Sequence, residues 1–172
     1  MSEPTFRPAT TEDDITVIAA LAREIWYEYY VPLIGRDQVD YMVAKFQSAT
    51  AMFEQLRAGY EYFLVQRDAQ PVGYVSVQVQ SGNLMFISKL YLLQERRGGG
   101  TGRAIMTFIE DLARERGVEQ LWLTVNKGNP AVHAYERLGF RVAAAIVMDI
   151  GNGFFMDDFR MEKVLSGISA RA

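Results

Sequence analysis

The run Leu90-Tyr91-Leu92-Leu93-Gln94-Glu95-Arg96-Arg97-Gly98-Gly99-Gly100-Thr101-Gly102-Arg103 joins an apolar stretch to a glycine-rich loop, and a helical pattern follows directly. Ile105, Phe108, Ile109 and Leu112 recur at steps of three and four, with Glu110, Asp111, Arg114 and Glu115 between them, and Gly117 closes the segment. A helix N-terminus leaves its first amides unpaired and carries a partial positive charge. Glycines ahead of it let the backbone approach a ligand and adopt positive φ, so the loop can wrap an anion. Arg96, Arg97 and Arg103 add positive charge at the same place. The plain alternative is a flexible turn before a well-started helix. Counting excludes two familiar phosphate loops. The P-loop requires Gly-Lys-Ser/Thr where Arg103 and Ala104 stand, and G-x-G-x-x-G fails at Arg103 from Gly98 and at Ile105 from Gly100.

On the N-terminal side of the loop, both alternate faces from Leu84 to Leu93 are mostly apolar, as in a central strand covered on two sides. Ser81-Gly82-Asn83 makes the turn before it, and Val75, Val77 and Val79 alternate with polar residues in a preceding strand. Asp68-Ala69-Gln70-Pro71 is a hairpin turn back to the run Tyr62–Val65. Further upstream, Thr5–Pro8 reads as a short strand and Thr11 caps a helix opened by Glu12, Asp13 and Asp14. Ile15, Ile18, Ala22, Ile25 and Tyr29 carry its stripe until Gly35. Asp37 is expected to cap a second helix with Tyr41, Met42 and Phe46, and Ser48 a further turn or two ending at Gly59. Beyond the loop helix, Leu121, Leu123 and Val125 mark a strand and Pro130–Leu138 a short helix. Arg141–Ile150 and Phe154–Leu165 form a last strand pair around Gly151-Asn152-Gly153, and residues 166–172 a frayed tail. The order is that of an α/β domain with a mixed sheet.

Length and composition bound the rest. The chain has 172 residues, within the range of one domain, so residues 1–172 are expected to form a single one. With no cysteine, disulfides, thiolate metal sites and a cysteine nucleophile are excluded. One histidine rules out a two-histidine zinc site, and no metal is expected. A net charge of −3 makes the chain a poor general binder of nucleic acid. The opening Met1-Ser2-Glu3-Pro4 is acidic where a signal peptide is basic, and no apolar run reaches membrane-spanning length. The expectation is a cytoplasmic protein without a membrane partner, as a monomer or homodimer.

R-x-x-G-x-G at Arg97, Gly100 and Gly102, flanked by the strand and the helix, resembles motif A of the GNAT superfamily of N-acetyltransferases. Leu121–Asn126 followed by Ala134-Tyr135-Glu136-Arg137-Leu138-Gly139-Phe140 resembles motif B. Pro71–Val75 resembles the strand before motif A, Thr5–Thr10 the family's opening, and the C-terminal stretch that of PaiA-type polyamine N-acetyltransferases. The pieces follow in the family's order along nearly the whole chain. The resemblance implies a twisted sheet of about seven strands with about four helices, splayed after motif A to leave a cleft for acetyl-CoA.

It also implies a cofactor site. The backbone of Leu90, Tyr91 and Leu92 would run beside the pantetheine arm, and the amides from Gly98 through Gly99, Gly100, Thr101 and Gly102 to Arg103, with Arg97, would hold the pyrophosphate. Asn126 or Asn129 would touch the cofactor's arm; the spacing from Asn129 to Tyr135 is one residue shorter than the family's. The reaction would pass acetyl to a primary amine by direct attack and release coenzyme A. A non-catalytic acyl-CoA sensor and a protein N-terminal acetyltransferase are the alternatives.

That chemistry needs a neutral amine, a polarised carbonyl and a protonated leaving thiolate. For an amine of pKa about 10.4, deprotonation at pH 7 costs about 4.6 kcal/mol. Tyr135 is the candidate acid, since its phenol would lie by the sulfur in the family. Relatives carry a Glu on the strand before motif A, where this chain has Ser88 and Lys89, or where it has Thr124. With no acid in either place, a chain of water molecules is the expected proton acceptor. His133 lies two residues before Tyr135, about 200° round a helix, and is expected at the surface. Trp26, Tyr27, Glu28 and Tyr30 are candidates for binding a small-molecule amine by cation–π and charge contacts, and Asp157 and Asp158 for holding a cationic one.

Overall fold

The computed structural model describes residues 2–165, so the expected tail at 166–172 lies outside the described residues. In chain order the elements are β1 (Thr5–Pro8), α1 (Glu12–Tyr29), α2 (Val31–Ile34), α3 (Arg36–Phe46), α4 (Ala49–Arg57), β2 (Glu61–Arg67), β3 (Gln70–Gln80) and β4 (Leu84–Leu92). After them come α5 (Thr101–Glu115), β5 (Gln120–Asn126), α6 (Ala131–Arg137), β6 (Arg141–Gly151) and β7 (Phe154–Val164). The strands hydrogen-bond in the order β1-β2-β3-β4-β5-β7-β6, a mixed seven-stranded sheet with the strand number the resemblance implied. The described backbone falls into two compact units, residues 2–78 with Lys89–Ile105, and Val79–Ser88 with residues 106–165.

In the first unit, β1, β2 and β3 pair antiparallel. The β2–β3 hairpin turns on Asp68 and Ala69 alone, both at positive φ, a two-residue turn whose twist suits the strands. Thr11 caps α1 as read, accepting from the Asp14 amide at 3.1 Å, and Ser48 caps α4 by accepting from Ala51 at 3.2 Å. Asp37 caps nothing. It lies inside the first turn of α3, whose N-cap is Gly35 at φ +86°, and the four-residue α2 intervenes after α1. Six helices therefore replace the four expected. The core of this unit is Ile15, Ile18, Ile25, Met52, Leu64 and Tyr74, all almost fully buried.

Gly73 fixes the approach of β4 to β3. A Cβ there would stand 2.3 Å from the Tyr91 carbonyl oxygen and 2.7 Å from Leu92 Cδ2. Any larger residue would push β4 away, which is the close-approach role of a strand glycine. β4 itself is covered on one face only. Met85, Ile87 and Lys89 are buried, while Leu84, Phe86, Ser88 and Leu90 are half-buried, so the expectation of two apolar covers does not hold.

In the second unit, β4 and β5 run parallel through Leu84↔Gln120, Met85↔Leu121 and Phe86↔Trp122, where the register ends among the described residues. β5 keeps its antiparallel partner β7 along its whole length, Gln120↔Val164 to Asn126↔Asp158. Alternation sends Leu121, Leu123 and Val125 to the core and leaves Trp122, Thr124 and Asn126 half-buried. On that outer side Trp122 stacks on Phe86 at 4.1 Å, and the Arg160 guanidinium lies 4.0 Å from the Trp122 ring. β6 and β7 close the sheet as a hairpin through Asn152 and Gly153.

Candidate active site

The glycine loop takes the conformation its composition allows. Gly98, Gly99 and Gly100 stand at φ +81°, +60° and +81°, and α5 begins at the next residue. Their amides donate to no protein acceptor among the described residues. A Cβ built on Gly98, Gly100 or Gly102 meets nothing within 4 Å, so the space in front of the backbone is open. Three amides beside a helix N-terminus, with room before them, suit a phosphate group. Gly102 differs from the expectation: it lies in the first turn of α5 outside the positive-φ region, so its backbone demands no glycine.

Thr101, only 1% exposed, is held from below. The buried Arg67 guanidinium at the end of β2 donates through Nη1 to Thr101 Oγ1 and through Nε to the Ser2 carbonyl at 2.8 Å. Arg67 has no ion-pair partner among the described residues, so its charge adds to the positive end of α5. Nothing in the residues around Arg67 marks it, because only the hairpin brings it to Thr101. Arg97 donates to the Leu92 carbonyl at 3.2 Å, and its guanidinium covers the Tyr29 ring at 4.1 Å. It thereby ties the loop to the end of α1. Arg103 is exposed on α5.

The aromatic run at the end of α1 does not act as one cluster. Spacing of four puts Trp26 and Tyr30 on one face, stacked at 4.3 Å. Tyr91, from the β4 stretch Leu90–Leu92, meets Trp26 edge-on at 5.5 Å and Tyr30 at 6.2 Å. Tyr27 points elsewhere: Arg23 and Arg36 lie 5.6 and 5.3 Å from its ring, and its hydroxyl donates to Asp40. Its ring thus faces two guanidinium groups, on the side of α1 away from Trp26 and Tyr30. Glu28 is exposed.

Lys89, which with Ser88 stands where relatives carry a Glu, is a deeply buried polar group. Lys89 is 4% exposed, and its ammonium donates to the Phe46 carbonyl at 2.5 Å, the Tyr62 hydroxyl at 2.5 Å and Gln55 Oε1 at 2.9 Å. Burial pulls its pKa down to about 7.

In the second unit Tyr135 sits on α6, its ring edge-on to Phe140 at 5.7 Å. His133 is at the surface as expected, 76% exposed beside Glu136 at 3.2 Å. Both candidate asparagines shape the turn before α6. Asn126 Oδ1 accepts from the Gly128 amide at 2.8 Å, and the buried Asn129 accepts from Ala131 at 2.9 Å. Asp157 and Asp158 lie inside β7, not in a turn. Asp157 is ion-paired with Lys127 at 2.7 Å, whereas Asp158 is buried. Burial first, and then the charge of Asp157, raise the Asp158 pKa to about 6, against a hydrogen bond from Thr124 and the charge of Lys127.

Comparison with known proteins agrees with the loop and the strand order. The model of the Acetyltransferase (GNAT) family matches residues 20–140, and the chain belongs to that family. Streptothricin acetyltransferase of Streptomyces lavendulae is 38% identical over 81 residues, which are 46% of this chain and 43% of that protein. The match thus spans less than half the length of that curated relative. Among solved structures, the PaiA N-acetyltransferase of Thermoplasma acidophilum in complex with coenzyme A superposes with a TM-score of 0.77 at 20% identity, covering 96% of this chain and all of that one. Spermidine N-acetyltransferase from Vibrio cholerae, in complex with coenzyme A and spermine, gives 0.71 at 20% identity over 98% of this chain and 99% of its own. At these identities the structures speak for the fold. No helix among the described residues is long and apolar enough to cross a membrane.

Proposed function

We propose that this protein is an acetyl-CoA-dependent N-acetyltransferase that passes the acetyl group directly to a primary amine of a small molecule. The observation that carries this is the loop Gly98–Gly100, with its unpartnered amides and open space at the N-terminus of α5. These residues fit a pyrophosphate: the amides from Gly98 to Arg103 hold it, and the charges of Arg67 and Arg97 favour it. The backbone of Leu90, Tyr91 and Leu92 is assigned to the pantetheine arm, with Asn126 or Asn129 as a side-chain contact. Bound acetyl-CoA supplies a thioester carbonyl open to attack by a neutral amine. Tyr135 is assigned as the acid that protonates the departing thiolate. The half-buried Tyr30, backed by the buried Trp26 ring, offers aromatic surface to a cationic acceptor, and the exposed Asp157 offers negative charge.

The names of the relatives put streptothricin and spermidine first on an acceptor panel, followed by other polyamines, aminoglycosides and peptides. Release of coenzyme A thiol on mixing with acetyl-CoA and an amine is the expected result. Acetyl-CoA binding without turnover across the panel would favour a sensor, and turnover of peptides alone a protein N-terminal acetyltransferase. The loop has its own test. Gly100→Val should weaken acetyl-CoA binding tenfold or more in calorimetry, because it fills the open space and resists φ +81°. Equal affinity would remove the cradle.

A further inference from the structure

The glycine loop is fastened on both sides to one hairpin. Before the glycines, the Leu93 amide donates to the Val72 carbonyl at 2.9 Å; after them, Thr101 Oγ1 accepts from Arg67 Nη1. Val72 is the extra residue of a bulge, since Val65 pairs with Gly73 and Gln66 with Pro71. A bulge bends its strand and re-aims the side chains beside it. Arg67 stands next to this one on β2, 8% exposed, while Asp68, Ala69 and Gln70 after it are exposed.

A guanidinium keeps its proton at any ordinary pH, so Arg67 is a permanent buried charge. Its two acceptors, Thr101 Oγ1 and the Ser2 carbonyl, are neutral. No carboxylate lies within ion-pairing distance of it among the described residues, and Asp68 accepts from the Ser2 hydroxyl at 2.6 Å instead. Such a charge costs stability unless something pairs with it. Immediately before Thr101 stand the amides of Gly98, Gly99 and Gly100, without protein acceptors and with open space in front of Gly98 and Gly100. Arg97, over the Tyr29 ring, and Arg103, on α5, are exposed. Water and salt screen those charges far more than a buried one.

We propose that Arg67 sets the donor specificity of the loop: acting through Thr101, it selects an acyl carrier with a diphosphate over the same thioester arm without one. The proposal rests on the acetyltransferase reading above. Amides at a helix N-terminus suit any small anion. A diphosphate diester carries two negative charges and supplies the counter-charge that the protein withholds from Arg67. Pantetheine, the phosphate-free arm of coenzyme A, supplies none. Arg67 is a positioning residue in this role. It touches no ligand, holds Thr101 at the head of α5, and sets the charge beneath the loop.

The test compares the affinities of coenzyme A and pantetheine, by calorimetry, for wild type, Arg67→Met and Arg67→Lys. Arg67→Met should bind coenzyme A at least tenfold more weakly, with pantetheine affinity within twofold of wild type. Arg67→Lys keeps the charge without the planar fork and should recover coenzyme A affinity to within threefold. Equal losses for both ligands would make Arg67 a prop of the fold, and unchanged coenzyme A affinity in Arg67→Met would remove it from recognition. Either result, or no recovery in Arg67→Lys, overturns the proposal and leaves the acetyltransferase reading in place. If wild type binds coenzyme A no more tightly than pantetheine, the cradle itself fails and this proposal with it. A measurement on wild type covers a variant that does not fold. The Arg67 Nε resonance in nitrogen NMR should shift on adding coenzyme A and stay in place on adding pantetheine; an equal shift with both, or none with coenzyme A, overturns the proposal.

Discussion

Lys89 and Asp158 are both buried and ionisable, one in each compact unit, and their surroundings treat them in opposite ways. All three ammonium protons of Lys89 are used, on a helix-end carbonyl, a tyrosine hydroxyl and a glutamine. Asp158 has no cation within ion-pairing distance among the described residues. A buried polar group that is fully partnered holds a structure together; a buried charge without a counter-charge lowers stability. The contrast separates an ion held by its partners from one that burial works against.

Breaking the structural half should give the largest effect. Lys89→Met keeps the length of the side chain but removes the one donor shared by the Phe46 carbonyl, Gln55 Oε1 and the Tyr62 hydroxyl, leaving them only their bonds to one another. A loss of about 2–4 kcal/mol in urea unfolding is expected. The pH dependence has a definite sign. The folded-state pKa of Lys89 is depressed to about 7, so between pH 7 and its ordinary value the unfolded chain binds more protons. Wild-type stability therefore gains from this group as pH rises through that window, by about 5 kcal/mol at most. Lys89→Met should lack the gain, and the difference in slope between the two proteins isolates it. Equal stability and equal slopes would erase the distinction drawn between the two ions.

The other half predicts a smaller change of opposite sign. Asp158→Asn retains the shape but removes a buried charge. The raised pKa of Asp158 means its protonated form favours folding below the ordinary carboxyl range, and that contribution is lost as pH rises to about 6. At pH 7 the variant should thus be more stable than wild type by about 1–2 kcal/mol, allowing for residual solvation of the group. Thermal melts at pH 4.5 and 7 check it, with the gain present at 7 and much reduced at 4.5. A less stable Asp158→Asn at pH 7 would make the carboxylate structural and cancel the contrast.

Neither ion was legible for what it is. The glycine loop, the caps at Thr11 and Ser48, the β3 alternation and the helix behind the loop are all local, and local chemistry writes them into adjacent residues. Lys89 stands in an apolar stretch where period two says only that a face is buried. That the face carries an ammonium satisfied by α3, α4 and β2 depends on residues 27–43 positions away. Asp158 read as a candidate for holding a cation because two acids stand side by side. Strand geometry sends adjacent side chains to opposite faces, so one acid of the pair is buried while the other meets Lys127. Arg67 was hidden for the same reason: its significance exists only once the hairpin turns it toward Thr101.

The smallest stability change should come from Tyr135, in the same unit as Asp158. Tyr135→Phe keeps the ring and its edge-on packing against Phe140, so melting should move by no more than about 1 kcal/mol. If the phenol protonates the leaving thiolate, the interaction it makes appears only as the C–S bond breaks, and acetyl-CoA affinity should be unaffected. The rate should nonetheless fall about 10²-fold, with kcat and kcat/KM dropping together. A large change in rate beside a small change in stability is the reverse of the signature expected of Lys89→Met. Stability falling by several kcal/mol with kcat preserved in the folded fraction would instead put Tyr135 with Lys89, among the groups that hold the fold. An unchanged kcat with chemistry rate-limiting would remove Tyr135 from the reaction altogether and leave the thiolate to be protonated by solvent.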